Sequence, residues 1–436
     1  MDPIVSAIAG LFLLIILMAL RMPVSFAMFL AGVLGIAYMI STGAAIHMLS
    51  TNLWGQISSY SLSVIPLFVL MGQLAFHSGI TERLYGAAYK WVGRLPGGLA
   101  ATTILSSAGF AAICGSNTAT SATMGTIALP EMERYRYDPS FSTGSVAIGG
   151  TLGVVIPPSV LLIIIAVQTK QSITQLFLAN IIPGIMLTGL LLITAVLLCI
   201  RNPKLGPPGP RTPMREKLFA LTGIIEAVLL FLLVIGGMYA GWFTPTEAGA
   251  AGSFGALIIG LSRRKLSKEQ FIRALAETTR ISAMVVLMIT GAVMFGRFLT
   301  ITRLPFELAE WAISLHLPKV LILMVVFAIY LVGGCLMDGL GFLVVTIPIF
   351  FPLGEALGYD PIWFTVMITL VTTMGAVTPP VGVNVYIVKG LCPDVPIQTI
   401  FRGVSVFLIP YVVCLALIFI FPNIALYLVH TLMRVY

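Results

Sequence analysis

The chain has 436 residues, of which 58% are apolar and 9% charged, and its 24 basic against 16 acidic side chains give a net charge of +8. Soluble domains carry roughly a quarter charged residues, so a soluble fold is excluded and the bilayer becomes the solvent. The positive excess does not indicate nucleic acid, because the basic residues form no aromatic-interleaved face and sit between apolar runs.

A helix needs about 20 apolar residues to cross a bilayer. Apolar, almost charge-free runs near that length fall at about 4 to 20, 24 to 42, 61 to 79, 144 to 167, 177 to 200, 218 to 238, 245 to 262, 283 to 299, 362 to 388 and 403 to 421. The first is not a signal peptide: Asp2 stands where a basic n-region belongs and no small-residue cleavage site follows, so it reads as a retained anchor starting outside. Two further stretches, about 97 to 130 and 318 to 352, are too long for one crossing and are broken in the middle. Each is either a re-entrant hairpin or a pair of crossings. The one hydrophilic connector, residues 201 to 217, is rich in Pro and Gly and reads as a semi-extended linker.

The two sides of this linker repeat each other. Thr81-Glu82-Arg83-Leu84 and Trp91 answer Ile301-Thr302-Arg303-Leu304 and Trp311 at an offset of 220 residues, and Thr126-Ile127 answers Thr346-Ile347 at the same offset. Gly153 and Pro157-Pro158 answer Gly375 and Pro379-Pro380 at 222. Amphipathic stretches at 45 to 58 and 265 to 282 precede the third span of each half, and each either lies along the membrane surface or is an ordinary loop helix. With ten spans and two hairpins, 19 of the 24 basic residues fall on one side, and Lys170, Arg297, Arg303, Lys319 and Arg434 on the other. The richer side is the cytoplasm, which puts both termini outside. An odd number of crossings per repeat inverts the second half. The expected fold is therefore an all-α polytopic membrane protein of two inverted-topology repeats, residues 1–200 and 218–436, each with a re-entrant helical hairpin and a broken transmembrane helix.

Chemistry is expected at the breaks. The first hairpin turns at Cys114-Gly115-Ser116-Asn117-Thr118, where exposed helix ends offer N–H groups to a carboxylate and carbonyls to a cation. Ser, Asn and Thr are also preferred caps; capping and binding are compatible, and a buried polar cluster without a use is costly. Ser116, Asn117 and Thr118 are thus candidate substrate contacts, the first two also cation ligands. The second hairpin carries Asp338 at the position matching Thr118. It is either an N-cap or a cation and gating residue, and an acid at membrane depth favours the latter. Each hairpin is followed by a span broken at a double proline, which frees carbonyls. Gly149, Gly153 and Ser159 lie around the first, and Thr372, Thr373, Gly375 and Thr378 around the second. With Asp338, all of these except Ser159 form a candidate sodium cage, and Asp338 and Ser159 are also candidate substrate contacts. The four histidines (His47, His77, His316, His430) and five cysteines have no metal-ligand spacing, and Thr244-Pro245-Thr246-Glu247 reads as helix N-terminal chemistry. No Walker lysine loop or dinucleotide fingerprint is present, so ATP hydrolysis is not expected.

At Gly115-Ser116 with Pro130, Phe243-Thr244-Pro245-Thr246-Glu247-Ala248, Met337-Asp338 with Pro348 and Pro352, and Thr378-Pro379-Pro380-Val381-Gly382, the chain resembles the large membrane subunit of the tripartite ATP-independent periplasmic (TRAP) transporters. The likeness covers essentially the whole sequence. It implies an elevator-type, sodium-driven importer of organic acids in a bacterial inner membrane, needing no cofactor beyond the coupling Na+. It also implies a small four-helix membrane subunit and a periplasmic substrate-binding protein as partners. The first repeat starts almost at once, so the small subunit is expected as a separate chain. Ser116-Asn117-Thr118 also resembles single-component dicarboxylate carriers of the same superfamily, the near alternative. An intramembrane enzyme would need a nucleophile with a base at membrane depth, and no His lies in the spans expected to move. A channel would not require two inverted copies.

Overall fold

The structure, a computed structural model, describes residues 2–432; Arg434, assigned above to the outer side, lies outside them. Every regular element among the described residues is helical. In chain order they are α1 (Pro3–Ala19), α2 (Val24–Met39), α3 (Thr42–Ile57), a 3-10 turn (Tyr60–Ser63), α4 (Val64–His77), α5 (Ile80–Val92), α6 (Gly98–Cys114), α7 (Asn117–Arg134), α8 (Pro139–Val155), α9 (Val160–Thr169), α10 (Ile173–Arg201), α11 (Met214–Ala220), α12 (Thr222–Phe231), a π turn (Leu232–Gly236), α13 (Gly237–Tyr239), α14 (Pro245–Ser262), α15 (Lys268–Ile301), α16 (Leu304–Ser314), α17 (Lys319–Leu336), α18 (Gly339–Ala356), α19 (Pro361–Gly375), α20 (Val383–Leu391), α21 (Ile397–Ile420) and α22 (Asn423–Leu432).

Eight helical segments among the described residues are long and apolar enough to cross a membrane. This differs from the ten spans plus hairpins read from the sequence. The runs at 4 to 20 and 24 to 42 form helices of 17 and 16 residues, the run at 245 to 262 forms the 18-residue α14, which is too weakly apolar to count, and the run at 362 to 388 divides into α19 and α20. Conversely α17 and α18, the two arms of the second broken stretch, each reach 18 residues and pass on length alone. The amphipathic stretches also diverge. The first ends at Ser58 as the separate helix α3, whereas the second runs without interruption into the following span as the 34-residue α15. At 1.5 Å per residue α15 is about 50 Å long, well beyond a hydrocarbon core of about 30 Å. The difference is local: Ser58-Ser59 ends one helix, and 278 to 285 contains no Gly or Pro.

The two broken spans are built alike. Asp138 caps α8, its Oδ1 accepting from the N–H groups of Ser140 at 2.9 Å and Phe141 at 3.1 Å, with Pro139 at the first helical position. Asp360, 222 residues on, caps α19 in the same way, accepting from Ile362 and Trp363, each at 2.9 Å. Ile156, before the first proline pair, is extended, as a residue preceding proline must be. Both Pro-Pro bonds, Pro157-Pro158 and Pro379-Pro380, are cis.

Burial sorts centre from edge. Of the apolar window of α8 and α9, 89% is buried inside the protein, against 28% for the segment containing α12 and 33% for α10. The latter two therefore turn most of their apolar surface away from the protein's own core. α8 packs on α6, α7 and α21, and α19 on α17, α18 and α21. The outer helices pair across the halves: α15 lies on α2, and its counterpart α4 lies on α14. At the first of these crossings a Cβ on Gly32 would come within 2.8 Å of the Met294 and Phe295 backbone. Small residues permit that approach where lipid offers no hydrophobic drive between helices. At the second, Ser253 Oγ donates to the Leu67 carbonyl at 2.6 Å.

Candidate functional site

Both hairpin turns open onto one cavity of about 460 Å3. Ser116, Asn117 and Thr118 line it from the α6–α7 turn, Asp338, Gly339 and Leu340 from the α17–α18 turn, and Thr372 and Thr373 from α19. Gly149, Gly153, Ser159, Gly375 and Thr378 are not part of its wall.

The first turn is tightly organised. α6 ends at Gly115, whose φ of +65° is left-handed and suits glycine. Ser116 is extended and caps α7, its Oγ accepting from the Ala119 N–H at 3.4 Å and sharing a hydrogen bond with Thr118 Oγ1 at 3.1 Å. Asn117 Oδ1 accepts from the Thr118 N–H at 2.8 Å, and Thr120 Oγ1 donates to the Ser116 carbonyl at 2.7 Å. Capping and exposure to the cavity thus coexist in Ser116, Asn117 and Thr118.

Asp338 behaves differently from Asp2, Asp138 and Asp360, the aspartates that cap the proline-led helices α1, α8 and α19. It sits at the N-cap of α18 with its carboxylate against the N–H groups of Gly339, Leu340 and Gly341, without the close first-turn bonds that Asp138 and Asp360 form. Its carboxylate also opens into the cavity. The threonines of the second break point their protons away from the cavity. Thr372 Oγ1 donates to Ile368 O at 2.7 Å, Thr373 Oγ1 to Thr369 O at 2.5 Å and Thr378 Oγ1 to Met374 O at 2.8 Å. Each hydroxyl keeps lone pairs for a hard cation.

The glycines are places of close packing. A Cβ on Gly153 would strike the Ser116 carbonyl and come within 2.6 Å of Thr120 Oγ1, and one on Gly149 would reach Ser107 Oγ at 2.7 Å. A Cβ on Gly375 would lie 2.6 Å from the Leu331 carbonyl and 2.8 Å from the Cys335 nitrogen. Each broken span therefore presses its glycine against the hairpin of its own half. A second tie recurs in both halves: the Val160 N–H donates to the Gly115 carbonyl at 3.3 Å, and the Gly382 N–H to the Cys335 carbonyl at 2.9 Å. Ser159 is fully buried behind the first turn, its hydroxyl unpartnered. The halves differ in cover, since Pro157 and Pro158 are buried while Pro379 and Pro380 are exposed.

The sequence reading missed the wall supplied by the flanking helices: Gly72 and Gln73 of α4, and Ile281, Met284 and Val285 of α15. Gln73 carried a signal, being the one amide between 61 and 76. It also passed over Glu226 inside the run at 218 to 238, where the carboxylate accepts from Arg83 Nη1 at 2.8 Å and Arg263 Nε at 2.7 Å. Glu247 forms a capping box with Thr244, as the local sequence suggests. The five cysteines are free, and among the described residues no three His, Cys, Asp or Glu side chains gather as metal ligands. An alkali cation would rest on carbonyls, hydroxyls and the lone Asp338.

Residues 11–424 match the family described as "Tripartite ATP-independent periplasmic transporter, DctM component". The chain is 33% identical to the C4-dicarboxylate TRAP transporter large permease protein DctM of Pseudomonas aeruginosa, covering 88% of this chain and 89% of that one. It is 32% identical to the sialic acid TRAP transporter large permease protein SiaM of Vibrio cholerae, over 93% and 94%. An isethionate TRAP transporter permease protein DctMQ of Oleidesulfovibrio alaskensis is 34% identical over 83% of this chain and 57% of its own length. Among solved structures, the Alcanivorax borkumensis YdaH transporter shares the fold, with a TM-score of 0.60 at 16% identity over 87% of this chain and 89% of that one. The chain belongs to the DctM family, the large permease components of the tripartite ATP-independent periplasmic transporters, and is a transport subunit rather than an enzyme.

Proposed function

We propose that the chain is the membrane-embedded transport subunit of a sodium-coupled importer of an organic acid, a C4-dicarboxylate, sialic acid or related carboxylate. The observation that carries this reading is the convergence of both hairpin turns on one cavity of about 460 Å3, within the range of small-molecule sites. No Lys or Arg lines that cavity, so an anionic substrate would draw its counter-charge from the N-terminal ends of α7 and α18 and from a co-transported cation. Asp338, the hydroxyls of Thr372, Thr373 and Thr378, and the Ser116 turn are the oxygen donors available to that cation. In this reading the hairpins and broken spans of the repeats 1–200 and 218–436 move as a unit against a scaffold of the other helices, in elevator fashion. The linker 201–217 and both termini then follow the basic asymmetry, with the linker cytoplasmic and the termini periplasmic in a bacterial inner membrane. The partners are a small four-helix membrane subunit and a periplasmic binding protein that delivers the acid.

The test is uptake into proteoliposomes holding the permease with its small subunit, supplied with substrate-loaded binding protein. An inward sodium gradient should drive accumulation. Equal uptake with potassium in place of sodium would remove the coupling proposal.

A further inference from the structure

Away from the central cavity, the α4–α5 and α14–α15 junctions enclose a second, polar cavity of about 700 Å3, bounded by His77, Glu82, Arg83, Arg263, Lys265 and Gln270. It shares no lining residue with the first. Its two guanidiniums are held in place. Glu226 of α12, only 8% exposed, pairs with Arg83 through both carboxylate oxygens, one bond being 2.8 Å, and with Arg263 at 2.7 Å. Arg83 Nε also donates to the Gly79 carbonyl at 3.3 Å.

One carboxylate cannot neutralise two guanidiniums. Counting Arg83, Arg263 and Lys265 against Glu226 and Glu82 leaves one positive charge unmatched, and Lys265 forms no ion pair among the described residues. Arg263 keeps about half its side chain exposed, so part of its planar fork stays free. Gly79, also in the wall, starts α5 without a side-chain cap. Glu82 in the same turn is the one acid among the residues lining the cavity.

The cavity lies where apolar helices end. α4 closes at His77 and α14 at Ser262, and α14 leaves Phe254, Ile258 and Leu261 exposed at i, i+4, i+7 spacing, a stripe ending two residues before Arg263. Phe76, itself exposed, is part of the cavity rim. Basic pockets at the ends of membrane helices suit phosphate headgroups, and a preorganised arginine is well shaped for phosphate oxygens. We propose that this cavity binds a phosphate group, and that the apolar stripe beside it makes the source an anionic phospholipid headgroup with its acyl chains along α14. The proposal is independent of the substrate and sodium readings above.

The experiment measures thermal unfolding of the purified permease in mixed micelles titrated with phosphatidylglycerol, with phosphatidylcholine, or with inorganic phosphate alone. Phosphatidylglycerol should raise the unfolding temperature saturably and phosphatidylcholine should not. Lys265→Gln, which breaks no ion pair, should weaken the apparent phosphatidylglycerol affinity roughly fivefold. Arg263→Lys, which keeps the charge and loses the fork, should weaken it less than Arg263→Gln. Equal protection by inorganic phosphate would transfer the site to free phosphate and overturn the lipid assignment. No saturable effect of either phosphate source on the wild type, or unchanged affinity in Lys265→Gln, would overturn the proposal.

Discussion

Asp338 separates two kinds of chemistry that one residue type can perform. Asp138 and Asp360 each close two hydrogen bonds on their own first turn, whereas Asp338, in the same cap position, leaves its carboxylate open to the cavity. The sequence separated Asp338 by its depth in an apolar stretch and by the Gly rather than Pro that follows it, but not by what its carboxylate would face. Those surroundings are supplied by Ser116 to Thr118 and Thr372, which are distant in sequence. Asp338→Asn keeps the size and removes the charge. Transport should fall about tenfold or more, the scale of losing a hydrogen bond to a charged group, with the sodium requirement shifted upward and stability little changed. Asp338→Ala should lose transport likewise and, by also removing the oxygen that faces the first N–H groups of α18, should unfold more easily than Asp338→Asn by up to about 1 kcal/mol. Wild-type transport by Asp338→Asn would mean the charge holds no cation.

At the scale of elements, each broken span and the hairpin before it form one locked unit. The proline pair was legible, because proline removes a donor and stops a helix wherever it stands. The partner it locks to was not, because Gly153 meeting the Ser116 carbonyl and Gly375 meeting Leu331 and Cys335 are contacts across about 40 residues. Periodicity carries no information on such a contact. Gly153→Ala and Gly375→Ala should each cost about 1–3 kcal/mol of stability by overpacking, measured as a lower unfolding temperature of the purified subunit. Gly189→Ala, on α10 with nothing within 4 Å of its Cβ, should be near neutral. If all three behave alike, the close packing of span on hairpin does not hold the site together. The continuous α15 was likewise hidden: its polar first half and apolar second half read as two elements, yet nothing between them stops a helix.

For the whole molecule, the repeat was the most legible feature, since an offset of 220 to 222 residues carries whole constellations of polar and proline residues from one half to the other. What stayed out of reach was how the halves interlock. α2 lies against α15 and α14 against α4, and these contacts rest on glycine and serine at single positions. The proposed orientation makes the linker cytoplasmic. A cysteine introduced at Pro208 should therefore react with an impermeant maleimide only after the inner membrane is opened, and labelling in intact spheroplasts would exchange the sides of both hairpins. The central claim, that a cation crosses with the substrate through the cavity shared by the two breaks, is tested most directly by following radioactive sodium in proteoliposomes with no sodium gradient imposed. Substrate delivered by the binding protein should drive sodium inward in step with its own accumulation, and Asp338→Asn should lose most of that flux. Substrate accumulation with no accompanying sodium would contradict the account.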